Sequence, residues 1–300
     1  MPEVYTLDDL ASREVLDAGQ SKPARLAVIG WPVAHSASPR MQQAALDAAG
    51  IDVRYIRLEV APGRVREALA RMSALGFIGC NVTVPHKFDA LAACEWVDAA
   101  AKNLGSVNTV CLEAEQVQGF NTDGPGFVSA IADEFGAALG DLRVVILGAG
   151  GGAGQALATQ CAMQGVRRLV MVNRTVSKLG PLASRLHELA PACEIQALAL
   201  DDPALAEACR GSDLIVNASA VGLHPGPPPI LPDSCLMAQP LVYDCIYQPA
   251  VTPLLERAAA LGCRHANGRS MLIHQGALAF QHWFPQTDPL AVMRAALGGG

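Results

Sequence analysis

Leu142-Arg143-Val144-Val145-Ile146-Leu147-Gly148-Ala149-Gly150-Gly151-Gly152-Ala153-Gly154 decides the architecture. Its first six residues have the aliphatic, β-branched composition of a buried strand. Glycines then dominate, and Gln155 to Gln164 has helical character. A glycine loop between strand and helix lets backbone N–H groups approach a pyrophosphate, whose charge the helix N-terminus favours. The next strand, Arg168 to Asn173, runs into Asn173-Arg174-Thr175, with Lys178 just beyond. An acid there would bond ribose hydroxyls, whereas a guanidinium and a hydroxyl suit a 2′-phosphate, so NADP is expected rather than NAD. Cations at a helix start oppose its dipole and need another reason to be there.

Toward the C-terminus the alternation continues. Helix 179–190, a strand near 193–199, helix 203–209 and strand Leu214 to Asn217 precede a loop over Val221 to Pro232, which holds five prolines and two glycines. Strand Leu241 to Asp244 follows, then Ile246-Tyr247-Gln248-Pro249 and helices over 253–261, 270–283 and 289–297. Toward the N-terminus, a helix over 127–139 is preceded by the polar island Gly119-Phe120-Asn121-Thr122-Asp123-Gly124. Strands over 24–29, 53–60 and 76–85, with helices over 41–49, 65–74 and 89–101, add a β-α-β-α-β-α run, which predicts a largely parallel sheet. Residues 1–23 read as a polar extension with a weak helix over 7–18.

Four places in this first half carry candidate chemistry. Asn81-Val82-Thr83-Val84-Pro85-His86-Lys87 reads as a strand stopped by proline, with Lys87 emerging at its carboxyl end, where open α/β sheets place ligands. Asp123 sits in a glycine-rich segment, as a partner for chemistry or as an Asx turn. Ser36 and Ser38, beside a helix start at Pro39, offer two hydroxyls to a small anion, or Ser38 is simply the cap. Asn108 stands in a predicted strand, Gly105 to Val110, where asparagine is depleted, so its amide needs a specific partner.

Composition removes several classes. A hydrophobic fraction of 51% over 300 residues supports a folded protein of one large or two ordinary domains. A net charge of −6 offers no broad basic surface for nucleic acid or membrane, and no apolar run approaches a membrane helix. Met1 to Gln20 is mixed and acidic, unlike a signal peptide, so a cytoplasmic location is expected. The nine cysteines are scattered without C-x-x-C pairs or zinc spacing, which predicts buried, reduced thiols and no metal.

These stretches together resemble the shikimate dehydrogenase family, in the broad sense that includes quinate dehydrogenases. The match runs through Gly30-Trp31-Pro32 to Pro39, Asn81 to Lys87, Gly105 to Thr109, Asn121 to Gly124, the glycine loop, Asn173-Arg174-Thr175, Asn217-Ala218-Ser219, Tyr243 to Pro249 and Met271-Leu272 to Gln275. The resemblance implies an α/β fold of two domains with the active site in a cleft between them. One is an N-terminal substrate-binding and catalytic domain with a mainly parallel sheet, over 24–122 plus 268–300 after the 1–23 extension. The other is a Rossmann-type NADP-binding domain over 123–267. It further implies Lys87 and Asp123 as the catalytic pair, with Ser36, Ser38, Thr83, Asn108, Tyr247 and Gln275 binding substrate. NADP would be held by Gly148, Ala149, Gly150, Gly151, Gly152, Ala153, Asn173, Arg174, Thr175, Lys178, Ala218, Ile246 and Gly268. Three departures stand out: Gln42-Gln43 replaces the usual histidine-asparagine, the glycine loop looks shifted or one residue longer, and Arg269-Ser270 precedes Met271.

The implied reaction is reversible, NADP-linked interconversion of shikimate and 3-dehydroshikimate, as in aromatic amino acid biosynthesis through chorismate. Quinate or an amino analogue is the alternative substrate. A silent NADP-binding sensor is the alternative of another class, against which the retained Lys87 and Asp123 count. The chain is expected to act as a monomer or homodimer on a small-molecule substrate.

Overall fold

The computed structural model describes residues 4–298 except 114, 115, 225, 227 and 228. The start of the extension, the tip of the 113–116 turn, part of the 221–232 loop and the last two glycines therefore lie outside the described residues. The chain forms two compact units, residues 1–126 with 273–300, and Phe127–Leu272.

The first unit is built on strands β1 (Ala24–Gly30), β2 (Arg54–Glu59), β3 (Gly79–Val82), β4 (Trp96–Val97), β5 (Thr109–Glu113) and β6 (Gln116–Phe120) in the order β2-β1-β3-β5-β6-β4. Its helices are α1 (Arg13–Leu16), α2 (Ser38–Ala48), α3 (Val65–Ala74), α4 (Lys87–Ala93) and α5 (Ala99–Leu104), and α6 (Asp123–Phe135) carries the chain into the second unit. β1 runs parallel to β2 and β3, but β5 is antiparallel to β3 and β6 antiparallel to β5. The exits of β1, β3 and β6 and the entry of β5 therefore share one edge of the sheet. That edge gathers the polar islands.

Several expected boundaries move, each for a local reason. β3 stops at Val82, before Pro85, and Thr83 to His86 turn into α4. The single helix expected over 89–101 is two, because Glu95 to Val97 pair with β6 and the Asp98 carboxylate caps α5 through the N–H groups of Ala100 and Ala101. β5 begins at Thr109, so Asn108 stands at the mouth of a strand rather than inside it. α6 begins at Asp123, four residues ahead of expectation, since the Asn121 side chain accepts from Asp123 and Gly124 N–H. The segment read as a polar extension packs on the sheet: Tyr5 bridges to Leu58, and Leu7, Leu10 and Leu16 join the core with Ile56 and Phe77.

The second unit holds β7 (Arg143–Leu147), β8 (Arg168–Asn173), β9 (Glu194–Ala199), β10 (Leu214–Asn217), β11 (Leu241–Asp244) and β12 (His265–Asn267), all parallel, in the order β12-β11-β10-β7-β8-β9. This is the doubly wound order, with the reversal between β7 and β10. Alternate residues of β7 feed two cores, Val144 and Ile146 on one face, Val145 and Leu147 on the other. Helices α7 (Gly152–Met163), α8 (Gly180–Leu189), α9 (Leu205–Arg210) and α10 (Pro253–Ala260) intervene between strands. α11 (Arg269–Trp283) returns the chain to the first unit, where α12 (Leu290–Ala296) closes it. Among the described residues no helix is long and apolar enough to cross a membrane.

Candidate active site

At the shared edge of the first sheet, the Lys87 ammonium meets the Asp123 carboxylate at 2.6 Å. Both are held from behind. Lys87 opens α4, whose start is tied down by the buried His86 ring, Nε2 lying 2.6 Å from the Val60 carbonyl. Because that carbonyl only accepts, Nε2 carries the proton. The Lys87 carbonyl in turn accepts from Val107 N–H. Asp123 is placed by Asn121, whose Nδ2 donates to the Ser106 carbonyl while its Oδ1 caps α6. A cation at the start of α4 opposes that helix's dipole, and the carboxylate across from it supplies the compensation.

Beside the pair lies a fully bonded amide chain. Asn108, buried at 2% exposure, accepts from Thr122 N–H at 2.8 Å and from the Thr109 hydroxyl at 3.0 Å. Its Nδ2 reaches Gln275 Oε1 of α11 at 3.4 Å and Thr122 Oγ1 at 3.0 Å. Deeper in, Tyr55 donates to Asn81 Oδ1 at 2.7 Å, and Asn81 Nδ2 donates to the Asn108 carbonyl and to Thr109. Burial pushes the Tyr55 phenol well above its ordinary range, so it stays a neutral donor. Tyr55 lies in no motif, and Asn81 and Thr109, though inside the Asn81–Lys87 and Gly105–Thr109 stretches, are not among the expected site residues. The unusual Asn108 was the one signal pointing to this network.

On the other side of β3, Thr83 packs against Gly30 at the exit of β1, and Trp31 N–H donates to the Val84 carbonyl. The loop from Trp31 onward brings up Ser36 and Ser38. Ser38 is not the cap: Ala37 occupies that position with no side-chain cap bond, and Ser38 is the first helical residue. Its hydroxyl is thus not committed to the helix end. Ser36 Oγ accepts from Ser38 N–H at 3.3 Å.

Tyr247 belongs to the second unit, in the loop after β11. That loop hangs on Asp244, a fully buried carboxylate that accepts from Thr252 Oγ1 at 2.6 Å, Ile246 N–H at 3.0 Å and Asn217 Nδ2 at 3.1 Å. Burial raises its pKa against those bonds. Gly268 donates to the Ile246 carbonyl, and a side chain at Gly268 would strike the Cys245 carbonyl.

A pocket of about 540 Å³ opens at the reversal point of the second sheet, lined by Gly148, Gly150 and Gly151, by Asn173, Arg174, Thr175 and Lys178, and by Ser219. Gly148 has φ +79°, and a Cβ on Gly154 would sit 2.3 Å from the Gly148 carbonyl, so the turn and the seating of α7 both require glycine. α7 starts at Gly152 with Gly151 as a cap that offers no side chain, which leaves its first N–H groups without a side-chain cap. Leu200, Val221 and Ile230 give the same pocket an apolar wall. Bare amides, a cationic rim and an apolar wall fit a phosphorylated dinucleotide. Ala149 is buried in the core and Ala218 packs against that same core, so each has only backbone to offer.

Comparison with known proteins identifies the family. Residues 28–110 match the family described as "Shikimate dehydrogenase substrate binding domain", and residues 268–297 match "Shikimate 5'-dehydrogenase C-terminal domain". A shikimate dehydrogenase (NADP(+)) of Methanopyrus kandleri is 38% identical over 272 residues, covering 90% of this chain and 93% of that protein. The chain belongs to the shikimate dehydrogenase family. Among solved structures, a shikimate dehydrogenase in complex with NADP+ superposes with a TM-score of 0.82 at 34% identity, covering 91% of this chain and 93% of that one. The enzyme of Thermus thermophilus in complex with NADP(H) and shikimate gives 0.77 at 33%, covering 91% and 98%.

Within the shikimate dehydrogenase family the three departures now have physical readings. Gln42 is buried and its Nε2 donates to the Gly276 carbonyl, so it ties α2 to α11 one residue past Gln275. Ser270 is buried against the Tyr243 hydroxyl at 3.2 Å, where it supports the α11 start. In the glycine loop the close-packing position falls on Gly154, which accounts for the apparent shift in spacing.

Proposed function

We infer that this protein is an NADP-dependent shikimate dehydrogenase, an oxidoreductase that interconverts 3-dehydroshikimate and shikimate. The observation that carries the reading is the Lys87–Asp123 pair at 2.6 Å on the same sheet edge as Thr83, Asn108 and the serine loop. When bound, NADPH supplies the hydride for the substrate carbonyl carbon, and NADP takes it back in the reverse direction. Gly148 to Ala153 would hold its diphosphate, and Arg174, Thr175 and Lys178 its 2′-phosphate, with Asn173, Ala218, Ile246 and Gly268 completing that side.

As the carbonyl oxygen gains negative charge, the Lys87 ammonium donates a proton to it, and one hydroxyl results. In oxidation the same amine, having released its proton, takes the one leaving the hydroxyl. Asp123 holds the lysine on its target through their ion pair. Gln275, oriented by its bond from Asn108, presents its amide to the remaining ring hydroxyls, with Asn108 beside it as part of the same substrate site. Ser36 and Ser38 take the substrate carboxylate, with Thr83 and Tyr247 as further contacts. The cysteines stand as thiols, and we place the enzyme in the reducing cytoplasm.

The test follows NADP reduction by the purified protein with shikimate, then with quinate, with NAD as the alternative acceptor, and repeats the series with Lys87→Ala. Turnover of shikimate with NADP is expected, falling about 10²- to 10⁴-fold in the variant, mainly in kcat. Turnover of quinate alone, or an active variant, would overturn the reading.

A further inference from the structure

β2 sends Arg57 beneath the serine loop, where the guanidinium donates through Nε and Nη2 to the carbonyl of Ser36, at 3.2 and 2.9 Å. Two residues along the same strand, Glu59 accepts from Val33 N–H at 3.4 Å, so β2 grips this loop at both ends. Arg57 differs from its neighbour Arg54, which is paired with Asp17 at 2.8 Å. Among the described residues Arg57 has no carboxylate within ion-pair distance. A partly buried guanidinium bonded to a carbonyl keeps its whole charge available.

We propose that Arg57 is a positioning and specificity-determining residue: it fixes the Ser36 turn and places the positive charge that selects an anionic substrate group over a neutral one. The inference rests on the functional reading above, in which Ser36 and Ser38 receive the substrate carboxylate. Serine hydroxyls are neutral donors, and a carboxylate taken out of water needs charge as well as hydrogen bonds. Arg57 provides it from the second layer. The peptide whose oxygen it grips carries Ala37 N–H at its other end, at the start of α2, so the guanidinium also polarises that donor. Glu59, the other charged group on this face of β2, is engaged by Val33 and opposes the effect only in part.

The experiment compares shikimate with its neutral methyl ester in the wild-type enzyme, in Arg57→Gln and in Arg57→Lys, with kcat and KM for each and the KM for NADP as a control. Wild type is expected to prefer the acid. In Arg57→Gln the preference for acid over ester should fall about tenfold, through the KM of the acid, while the KM for NADP holds. Arg57→Lys, which keeps the charge but loses the forked grip, should retain most of the preference even if its activity drops. Equal losses on acid and ester in Arg57→Gln would overturn the proposal and leave Arg57 a plain brace. Should Arg57→Gln not fold, loss of the preference in Arg57→Lys overturns it and retention supports it. A wild-type enzyme active on neither compound would instead overturn the functional reading, and this proposal with it.

Discussion

At the ligand edge of the first sheet, side chains bond to side chains: Asn108 to Thr109, Thr122 and Gln275, Lys87 to Asp123, Tyr55 to Asn81. At the ligand edge of the second, the backbone is left bare by Gly148, Gly150 and Gly151, and the charged groups Arg174 and Lys178 are exposed. A small ring with several hydroxyls is distinguished by the direction of each hydrogen bond, so its partners must be locked before it arrives. A diphosphate is recognised by charge and by close approach, for which amides and mobile cations suffice. Mixed strand direction serves the first purpose, because reversed β5 brings its polar entry, with Asn108 and Thr109, to the edge where β1, β3 and β6 finish.

Substitutions at the two edges should therefore behave differently. Asn108→Leu strikes the locked edge hardest: it removes the acceptor for Thr122 N–H and the Nδ2 donor to Gln275 Oε1, at about 1–3 kcal/mol for each buried group left unsatisfied. Both the unfolding midpoint and kcat/KM for shikimate should fall, whereas lost activity at unchanged stability would break the contrast. Arg174→Gln at the bare edge should raise the KM for NADP roughly tenfold to a hundredfold with shikimate KM and stability nearly constant, as removal of one charge-assisted phosphate bond requires. Equal affinity for NADP in that variant would remove Arg174 from the 2′-phosphate site.

The smallest effect is expected at Asp244. Its pKa is raised in the folded protein, so the native state binds the proton more tightly than the unfolded chain does. Its contribution to stability is greatest at acid pH and is lost as pH rises through the raised value. Denaturation midpoints of the wild type and Asp244→Asn, compared from about pH 4 to pH 7, should show the wild type gaining on the variant as pH falls. A constant difference would mean that the bonds from Thr252 and Asn217 fully offset burial.

The strand–glycine–helix unit at 142–164 was legible because it is contiguous, and NADP was the expected cofactor on the residues after β8. Lys87 and Asp123 stood out as polar islands at strand exits. Element boundaries were less legible: Trp96–Val97 pair as a strand where one helix was expected, Asp98 then caps a new helix, and Asn121 starts α6 early, because each cap depends on which N–H groups the fold leaves unpaired. Ser38 could be read as a cap or as a ligand contact, and the cap position is held by Ala37.

Local order along the chain was enough for the alternation of strands and helices, the glycine cradle and the identity of the polar candidates, since these depend on neighbours within a few residues. Tertiary structure alone decided that β5 runs against its neighbours β3 and β6, that Tyr5, Leu7, Leu10 and Leu16 join the first core, and that Tyr55, Asn81, Arg57 and Gln42 stand behind the site. Those partners lie tens to hundreds of residues apart, Gln42 reaching Gly276 and Arg57 reaching Ser36. Such bonds form only where packing brings the segments together, so no pattern local to either partner announces them.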